Sequence, residues 1–344
     1  MARRLRVDAE DEVRIRPNPR GSRPRTKQRP GHSDARRGTV LVVDRGRYDI
    51  LIDDGPHVRA MKAKELGRAP IVVGDRVDVV GDTSGTAGTL ARAVRVHPRS
   101  ATLRRSADDG EDAAERVLVA NADQLVIVTA LADPQPRPRM IDRCLVAAYD
   151  AGMTPILCLT KADLADADAD VFAERYATLD IAAFATVIRP GHIEGLPDLL
   201  TALSGHTSVL IGHSGVGKST LVNALVPDAD RSTGSVNEVT GRGRHTSSSA
   251  IALPLPQGGW VIDTPGVRGF GLAHIEPDDL LKGFDDLAQI ARDCPRGCHH
   301  GDDAPDCALD AWAGADSTSD DARARLASFR RLLASRSEDV GHGA

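Results

Sequence analysis

The chain has 344 residues, enough for two or three domains with at least one large core. Apolar residues make up 41% and charged residues 27%, a balance typical of soluble globular proteins. No apolar run reaches the length of a membrane span, and no apolar stretch follows the first arginines, so we expect neither a membrane segment nor a signal peptide. Five cysteines without a secretory signal predict a reducing compartment, where metal or core roles are favoured over disulfides.

The net charge of −5 is unevenly distributed. Residues 1–37 contain twelve basic and five acidic residues, a net charge of +7, which leaves −12 for the rest of the chain. This segment also contains four prolines and few apolar residues, so it cannot bury enough surface to fold alone. We expect a flexible basic arm that meets a polyanion; a tail that only improves solubility is the alternative.

Residues 38–100 predict a small all-β domain. The runs GTVLVVD, RYDILIDD and DRVDVVGD have strand-like composition, and glycines separate them. Five or so short strands in this length suit an OB-like barrel, although composition alone does not separate it from an SH3-like barrel. Tyr48 is the single aromatic residue of the segment, so contacts to phosphates and sugars are favoured over base stacking.

Residues 101–275 predict an α/β domain. QLVIVTAL (124–131) and TPILCLT (154–160) are apolar runs of buried-strand length, and residues 138–151 between them have helical apolar spacing. Further strands are predicted at 208–212, 250–255 and 259–263. This alternation favours a mostly parallel sheet flanked by helices, with Cys144 and Cys158 in its core.

The octet GHSGVGKS at 212–219 matches the phosphate-binding pattern G-x-x-x-x-G-K-S, between a predicted strand and a predicted helix. Its backbone amides and the helix N-terminus suit phosphates. We expect Lys218 to reach the β- and γ-phosphates and Ser219 to ligate Mg²⁺. The predicted phosphate-binding residues are Gly212, His213, Ser214, Gly215, Val216, Gly217, Lys218, Ser219 and Thr220.

Two later segments complete the phosphate side of the predicted site. DTPG at 263–266 follows a strand, where Asp263 can hold Mg²⁺ through water and the Gly266 amide can sense the γ-phosphate. GRGRHTSS at 241–248 has the composition of a loop that orders only with ligand, and we assign its Thr246 to the Mg²⁺ shell.

TKAD at 160–163 predicts the base site. A strand-end aspartate can accept hydrogen bonds from guanine N1 and N2, a pattern that adenine does not offer, and Asp163 takes this role. Lys161 is expected to lie along the base and to pin the phosphate loop. Thr160 stands where such motifs usually have Asn. No Ser-Ala motif that would back the guanine follows; Thr186 or a neighbour is the candidate.

The order of these motifs is a circular permutation. An ordinary GTPase runs phosphate loop, switch threonine, DxxG and base motif, whereas here the base motif comes first. Rewiring of this kind is tolerated where the old termini lie close together. As a consequence, the segment after DTPG leads directly into the C-terminal part of the chain.

Residues 276–344 contain the cluster CPRGCHHGDDAPDC and a predicted helix at 321–335. Cys294, Cys298 and Cys307 with His300 or His299 provide four ligands suited to one closed, structural Zn²⁺ site. Iron–sulfur ligation and free thiols are the alternatives.

Together the barrel, the permuted motifs GHSGVGKST, GRGRHT and DTPG, and the Cys/His cluster resemble the ribosome small-subunit-dependent GTPase A family over roughly residues 38–335. The resemblance implies a multidomain α/β fold with an OB-like barrel, a permuted GTPase domain and a zinc-binding helical module. It implies a cytoplasmic, Mg²⁺-dependent enzyme that hydrolyses GTP to GDP and acts in late maturation of the bacterial small ribosomal subunit. Its partners would be that subunit and its rRNA, with no membrane, and we expect a monomer. The family's Cys-x-His pattern favours His300 over His299. The chain departs from the family at Thr160, in its cysteine spacing and in its longer basic arm.

Val267 follows DTPG where many GTPases have a Gln that orients the attacking water, so we expect slow intrinsic turnover. His245 is the candidate for positioning that water, beside Lys218 and Thr246 as catalytic residues; stabilising the loop is the alternative role for His245. Three alternative functions are a GTP-gated RNA-binding module, an ATP-driven nucleic-acid enzyme, and a zinc-dependent transcription regulator. No recognition-helix pattern supports the last.

Overall fold

Five short strands near the start of the chain close into a barrel. The computed structural model describes residues 32–105, 116–164, 168–227, 250–264, 270, 272 and 275–337. The barrel strands are β1 (Arg36–Asp44), β2 (Arg47–Ile52), β3 (His57–Lys62), β4 (Arg76–Gly81) and β5 (Ala91–Val96), with a 3-10 turn at Lys64–Leu66. Strand β1 pairs antiparallel with both β2 and β4, and β3 pairs parallel with β5, so the ring closes in the order β1-β2-β3-β5-β4. This five-stranded ring confirms the predicted OB-like barrel.

The barrel core follows from the alternation of its strands. Val40, Ile50, Val77 and Val79 lie in the barrel core and are completely buried. A hairpin of β6 (Thr102–Arg105) and β7 (Arg116–Ala120), which the sequence pattern did not predict, follows the barrel.

Within the described part of the chain, the α/β sheet has seven strands. They are β8 (Gln124–Ala130), β9 (Thr154–Thr160), β10 (Ala182–Arg189), β11 (His192–Glu194), β12 (Thr207–Ile211), β13 (Ile251–Pro254) and β14 (Trp260–Asp263). Their order is β11-β10-β9-β8-β12-β14-β13. The five inner strands are parallel and the two outer ones antiparallel to their neighbours, so the sheet is mostly parallel, as predicted.

Strand β13 also joins this sheet to the barrel. Its Ile251 pairs with Val42 of β1, which makes one continuous twelve-stranded sheet among the described residues. The sequence pattern predicted the strand at 250–255 but neither its antiparallel direction nor its partner in the barrel.

Helices cover both faces of the α/β sheet, because its central strands are apolar on both sides. On β8, Leu125 and Ile127 face the core with α1 (Pro138–Asp150), and Val126 and Val128 face the opposite core. The opposite core is covered by α3 (Leu196–Leu203) and α4 (Lys218–Leu225). A short α2 (Ala169–Glu174) and a 3-10 turn at Ala177–Leu179 precede β10.

Four C-terminal helices follow among the described residues, and the first and the last of them pack against α1. They are α5 (Pro277–Leu281), α6 (Asp285–Ala291), α7 (Ala308–Ala313) and α8 (Asp320–Ser337). Phe284 makes aromatic contacts to Tyr149 of α1 and to Phe329 of α8, with ring centroids 5.5 Å and 5.3 Å away. The C-terminal module therefore shares a core with one face of the sheet. Among the described residues, each helix is either too short or too polar to cross a membrane.

Candidate functional site: a phosphate loop, a base segment and a thiol-imidazole cluster

The phosphate loop lies between the end of β12 and the start of α4. Gly215 and Gly217 have φ values of +87° and +88°, a conformation that other residues rarely adopt, so the loop turns only with glycine at these positions. Val216 between them is completely buried in the core under α4 and fixes the loop to the sheet. The turn thus delivers backbone amides and the N-terminus of α4 to one point.

Two charged side chains meet at the base of the loop. Lys218 is the first residue of α4, and its ammonium group contacts the carboxylate of Asp263 at the end of β14. Strands β12 and β14 are parallel neighbours, so their carboxyl ends lie at the same edge of the sheet. Both side chains are largely buried, at 11% and 21% exposure, so the pair is weakly screened by solvent.

The residue after Asp263 has a supporting role that sequence reasoning missed. The hydroxyl of Thr264 donates a hydrogen bond of 2.7 Å to the carbonyl oxygen of Leu210, and its side chain is 1% exposed. This bond ties the end of β14 to β12, directly before the phosphate loop. Its place within DTPG was the only signal for this role in the sequence.

The base segment TKAD reaches the phosphate loop through Thr160. This threonine ends β9, and its hydroxyl donates to the carbonyl oxygen of Val216. Strand β9 is separated from β12 only by β8, and all three are parallel, so the two motifs emerge at the same sheet edge. Residues that are far apart in the chain, 160–163 and 212–219, are therefore brought together.

Lys161 and Asp163 follow on the same turn. Lys161 has a left-handed backbone, with φ +54°, and its ammonium group donates to the carbonyl oxygen of Asp133 in the loop after β8. The carboxylate of Asp163 is 29% exposed, and its Oδ2 lies 3.8 Å from Nη1 of Arg189. Thr186 is buried, and its hydroxyl lies 3.4 Å from the carbonyl oxygen of Leu159 on the neighbouring β9.

Several predicted residues lie outside the described part of the chain. They are His245, Thr246 and Gly266, together with Val267. His213 of the phosphate loop is described; its Nδ1 donates to the carbonyl oxygen of Ser214 at 3.0 Å, which stabilises the loop's own turn.

The thiol-imidazole cluster is assembled between α6 and α7. One ligand atom from each of Cys294, Cys298, His300 and Cys307 lies within 4.8 Å of the others, so the group could hold a metal ion. The Sγ atoms of Cys294 and Cys307 are 3.8 Å apart, and Nδ1 of His300 is 3.6 Å and 3.9 Å from them. Sulfur ligands at about 2.3 Å from a tetrahedral centre have this separation, so the donor set fits Zn²⁺.

The surroundings of the cluster favour His300 over His299. His300 is 3% exposed, and its Nε2 lies 3.4 Å from Oδ1 of Asp278. A carboxylate at the second imidazole nitrogen is a common support for a metal-bound histidine. The ring of His299 is half exposed and accepts a hydrogen bond from the Gly301 amide instead. Burial raises the pKa of the Cys298 thiol to about 11. The backbone amide of Ala308 donates to Sγ of Cys294 at 3.3 Å.

Arg330 links this cluster to α8. Its Nε donates to the carbonyl oxygen of His300 at 3.1 Å, and its Nη1 lies 2.8 Å from Asp310 and 3.2 Å from Asp302. The longest helix of the described residues is thereby attached to the backbone of a cluster member.

The fold and the site define a circularly permuted GTPase of the phosphate-loop class. Residues 96–273 match the model of the family described as RsgA GTPase. A protein of Ectopseudomonas mendocina (strain ymp) named small ribosomal subunit biogenesis GTPase RsgA is 39% identical over 277 residues, which cover 78% of this chain and 76% of that protein. The chain belongs to the RsgA GTPase family, as the permuted motif order predicted.

Two solved structures are similar in fold. The crystal structure of YjeQ from Thermotoga maritima matches with a TM-score of 0.63 at 26% identity, covering 87% of this chain and 99% of that one. The structure of YloQ, described as a circularly permuted GTPase, matches with a TM-score of 0.60 at 22% identity, covering 89% and 97%. These likenesses confirm the predicted permuted fold.

Proposed function

We propose that this protein hydrolyses GTP while it acts in the late maturation of the small ribosomal subunit, and that this subunit stimulates its turnover. The Thr160–Val216 hydrogen bond carries the nucleotide part of the proposal, because it joins a guanine-type base motif to a phosphate loop. The name of the Ectopseudomonas relative supports the ribosomal part. The proposed partner implies a cytoplasmic location. A monomer is sufficient for the site, since all its proposed residues come from one chain.

In the proposed mechanism the nucleotide lies along the carboxyl edge of the sheet. Asp163 accepts from guanine N1 and N2, Lys161 lies along the base, and the amides of 212–220 and Lys218 hold the phosphates. Lys218 contacts Asp263, so phosphate binding competes with that ion pair. Lys218 then exchanges a carboxylate for a phosphate and keeps an anionic partner throughout.

Ser219, Asp263 and Thr246 are the residues proposed to hold Mg²⁺ with GTP. The cation would neutralise the phosphate charge while the γ-phosphoryl group is transferred to water. Asp263 would hold the ion through water, and it suits this role because its carboxylate lies at the phosphate-binding lysine. With a valine at 267, His245 is the proposed water-positioning residue; unchanged subunit-stimulated turnover in His245→Ala would remove it from the mechanism.

The Cys/His cluster is proposed to bind one structural Zn²⁺. Four protein ligands leave no open coordination position, so the ion would stabilise the loop between α6 and α7 and take no part in hydrolysis. Because DTPG leads into this module, the module is placed to respond to the nucleotide, as proteins that switch with GTP do.

The proposal is tested by GTP turnover with and without purified small subunits at several salt concentrations. We expect slow turnover alone, faster turnover with subunits, and stimulation that falls steeply with salt, because the basic arm would contact rRNA phosphates. Equal turnover with and without small subunits would contradict the proposal that the subunit stimulates turnover.

The runner-up function is a GTP-gated RNA-binding module, which the OB-like barrel favours. Lys218→Ala and Ser219→Ala separate the two functions. Normal subunit maturation by these variants without turnover would favour the binding module, whereas failed maturation would favour the enzyme.

Nucleotide competition tests the alternative of an ATP-driven nucleic-acid enzyme. ATP binding as tight as GDP binding would contradict the role of Asp163.

A further inference from the structure

The hairpin of β10 and β11 places a guanidinium group beside the carboxylate proposed to bind guanine. Arg189 is the last residue of β10, and its Nη1 lies 3.8 Å from Oδ2 of Asp163. Strand β10 is the parallel neighbour of β9, so both side chains emerge at the sheet edge where the base segment lies. Neither composition nor motif singled out Arg189 in the sequence.

The hairpin holds Arg189 from its other end. Its Nε donates a hydrogen bond of 3.0 Å to Oε1 of Glu194, the last residue of β11. The register that pairs Arg189 with His192 sets this distance. After Glu194 comes Gly195, where a Cβ would lie 2.0 Å from the carbonyl oxygen of Ala185, so only glycine allows the chain to turn this closely. One edge of the guanidinium is thus fixed on Glu194 and the other directed at Asp163.

The ion pair itself contributes little to folding. Arg189 and Asp163 are 42% and 29% exposed, and solvent screens a pair this exposed, so its attraction is weak. The position of an arginine between two carboxylates at the proposed base site is better explained by a contact with the bound nucleotide than by folding stability.

The chemistry of guanine supplies the explanation. Its N1–H and N2–H donors are the partners proposed for Asp163, and its O6 acceptor is adjacent to N1. Arginine is well suited to donate to guanine O6 and N7. Adenine carries an amino donor where guanine has O6, so a guanidinium at that position opposes adenine.

We propose that Arg189 is a specificity-determining residue, which donates to O6 of the guanine whose N1 and N2 bind Asp163, with Glu194 as its positioning residue. This inference rests on the proposed function, because it needs GTP bound at Asp163. It gives guanine O6, which has no proposed partner in TKAD, a hydrogen-bond donor in Arg189.

The test compares GDP with 6-thio-GDP, in which sulfur, a poor acceptor, replaces O6 while the N1 and N2 donors remain. Calorimetry on the full chain should show that Arg189→Ala weakens GDP binding about tenfold, the usual effect of losing a charged hydrogen bond. The same variant should weaken 6-thio-GDP binding by less than about twofold, because that contact is already lost. Arg189→Lys, which keeps the charge and one donor, should fall between wild type and Arg189→Ala for GDP.

The matched control is Arg92→Ala, an exposed arginine on β5 of the barrel, which should bind both nucleotides as wild type does. Equal losses of GDP and 6-thio-GDP in Arg189→Ala would overturn the O6 contact and leave only a general charge effect. Tighter GDP binding would also overturn it, since Arg189 would then compete with the base for Asp163.

Asp163→Ala distinguishes this inference from the proposed function. If Asp163→Ala loses the preference for GDP over ADP while Arg189→Ala behaves as wild type, the inference fails and the guanine site stands. If Asp163→Ala binds GDP as tightly as wild type does, the proposed base site itself fails.

Discussion

The hydroxyl of Thr160 donates a hydrogen bond to the carbonyl oxygen of Val216, although 56 positions separate the two residues in the chain. Thr160 is 6% exposed, and the same hydroxyl lies 3.3 Å from the carbonyl oxygen of Thr129. The would-be Cβ of Gly217 is 3.7 Å from this hydroxyl oxygen, so the turn of the phosphate loop packs directly on the threonine. Threonine, which replaces the usual Asn, therefore still connects the base segment with the phosphate loop.

Thr160→Val tests this connection, because valine has nearly the same shape but no hydroxyl. The Val216 carbonyl would lose its buried donor, at a cost of about 1–3 kcal/mol, and the loop would lose its fixed position. We expect GDP affinity measured by calorimetry to fall about 5- to 100-fold. Thr160→Ser, which keeps the hydroxyl, is the control; wild-type affinity in the valine variant would show that the bond does not position the loop.

Asp263→Asn tests the exchange of partners at Lys218. With the carboxylate removed, Lys218 no longer has to leave an ion pair to bind phosphate, so GDP affinity in EDTA should equal or exceed that of wild type. Mg²⁺-dependent GTP turnover should fall by about two orders of magnitude, as when a charge-stabilising group is removed. Asp198→Asn, at an exposed position of α3, should change neither quantity. Weaker GDP binding in EDTA would contradict the exchange.

The features that were predicted correctly from the sequence are local ones. Strand, phosphate loop and helix follow one another around GHSGVGKST, and α1 and α8 lie within two residues of their predicted ends. Their signals, glycines at positive φ and apolar periodicity, depend on neighbouring residues alone. The Cys/His cluster also lies within 14 residues, so its members could be named in advance.

The features that were missed depend on contacts between distant segments. The pairing of Ile251 with Val42 unites barrel and sheet, yet neither strand carries a signal for the other. Arg189 reaches Asp163 only because β10 lies beside β9, and a single arginine at a strand end has no distinctive pattern. For the same reason the sequence left the choice between His299 and His300 to family resemblance, whereas burial and Asp278 favour His300 in the structure.

The thiol-imidazole cluster predicts a metal-dependent C-terminal module. Purified protein should carry one Zn²⁺ per chain, and Cys307→Ser should lose the ion and lower the melting temperature, because metal binding contributes directly to folding free energy. Cys144→Ala is the control for metal content, since this buried thiol of α1 is not one of the four clustered ligands and burial raises its pKa to about 12. Metal analysis by mass spectrometry checks the stoichiometry; a Cys307→Ser protein with its full metal content would contradict the ligand set.

A buried ion pair predicts a pH dependence of stability. Asp142 on α1 is 4% exposed, and its Oδ2 lies 3.3 Å from Nε of Arg331 on α8. Burial raises the pKa of Asp142 above its ordinary value of 3.8, and Arg331 only partly opposes this effect. The folded state therefore holds this proton more tightly than the unfolded state, and the stability that the protonated group contributes is lost as the pH rises above the unfolded value.

Asp142→Asn removes this titration while keeping the size of the side chain. The difference in unfolding free energy between wild type and variant should decrease as the pH rises above about 4, by about 1.4 kcal/mol for each unit of raised pKa. Urea denaturation at a series of pH values measures it. A difference that stays constant or grows with pH would contradict the raised pKa.

Asp163 and Lys218 are proposed to bind opposite ends of one guanine nucleotide. The most direct measurement is the affinity of Asp163→Asn for GDP and for XDP, in which a carbonyl oxygen replaces the N2 amino group and can accept from the asparagine amide. We expect GDP affinity to fall by at least about 100-fold, XDP binding to appear, and Lys218→Ala in the same chain to abolish it. An Asp163→Asn variant that still prefers GDP, or XDP binding that survives Lys218→Ala, would contradict a single shared site.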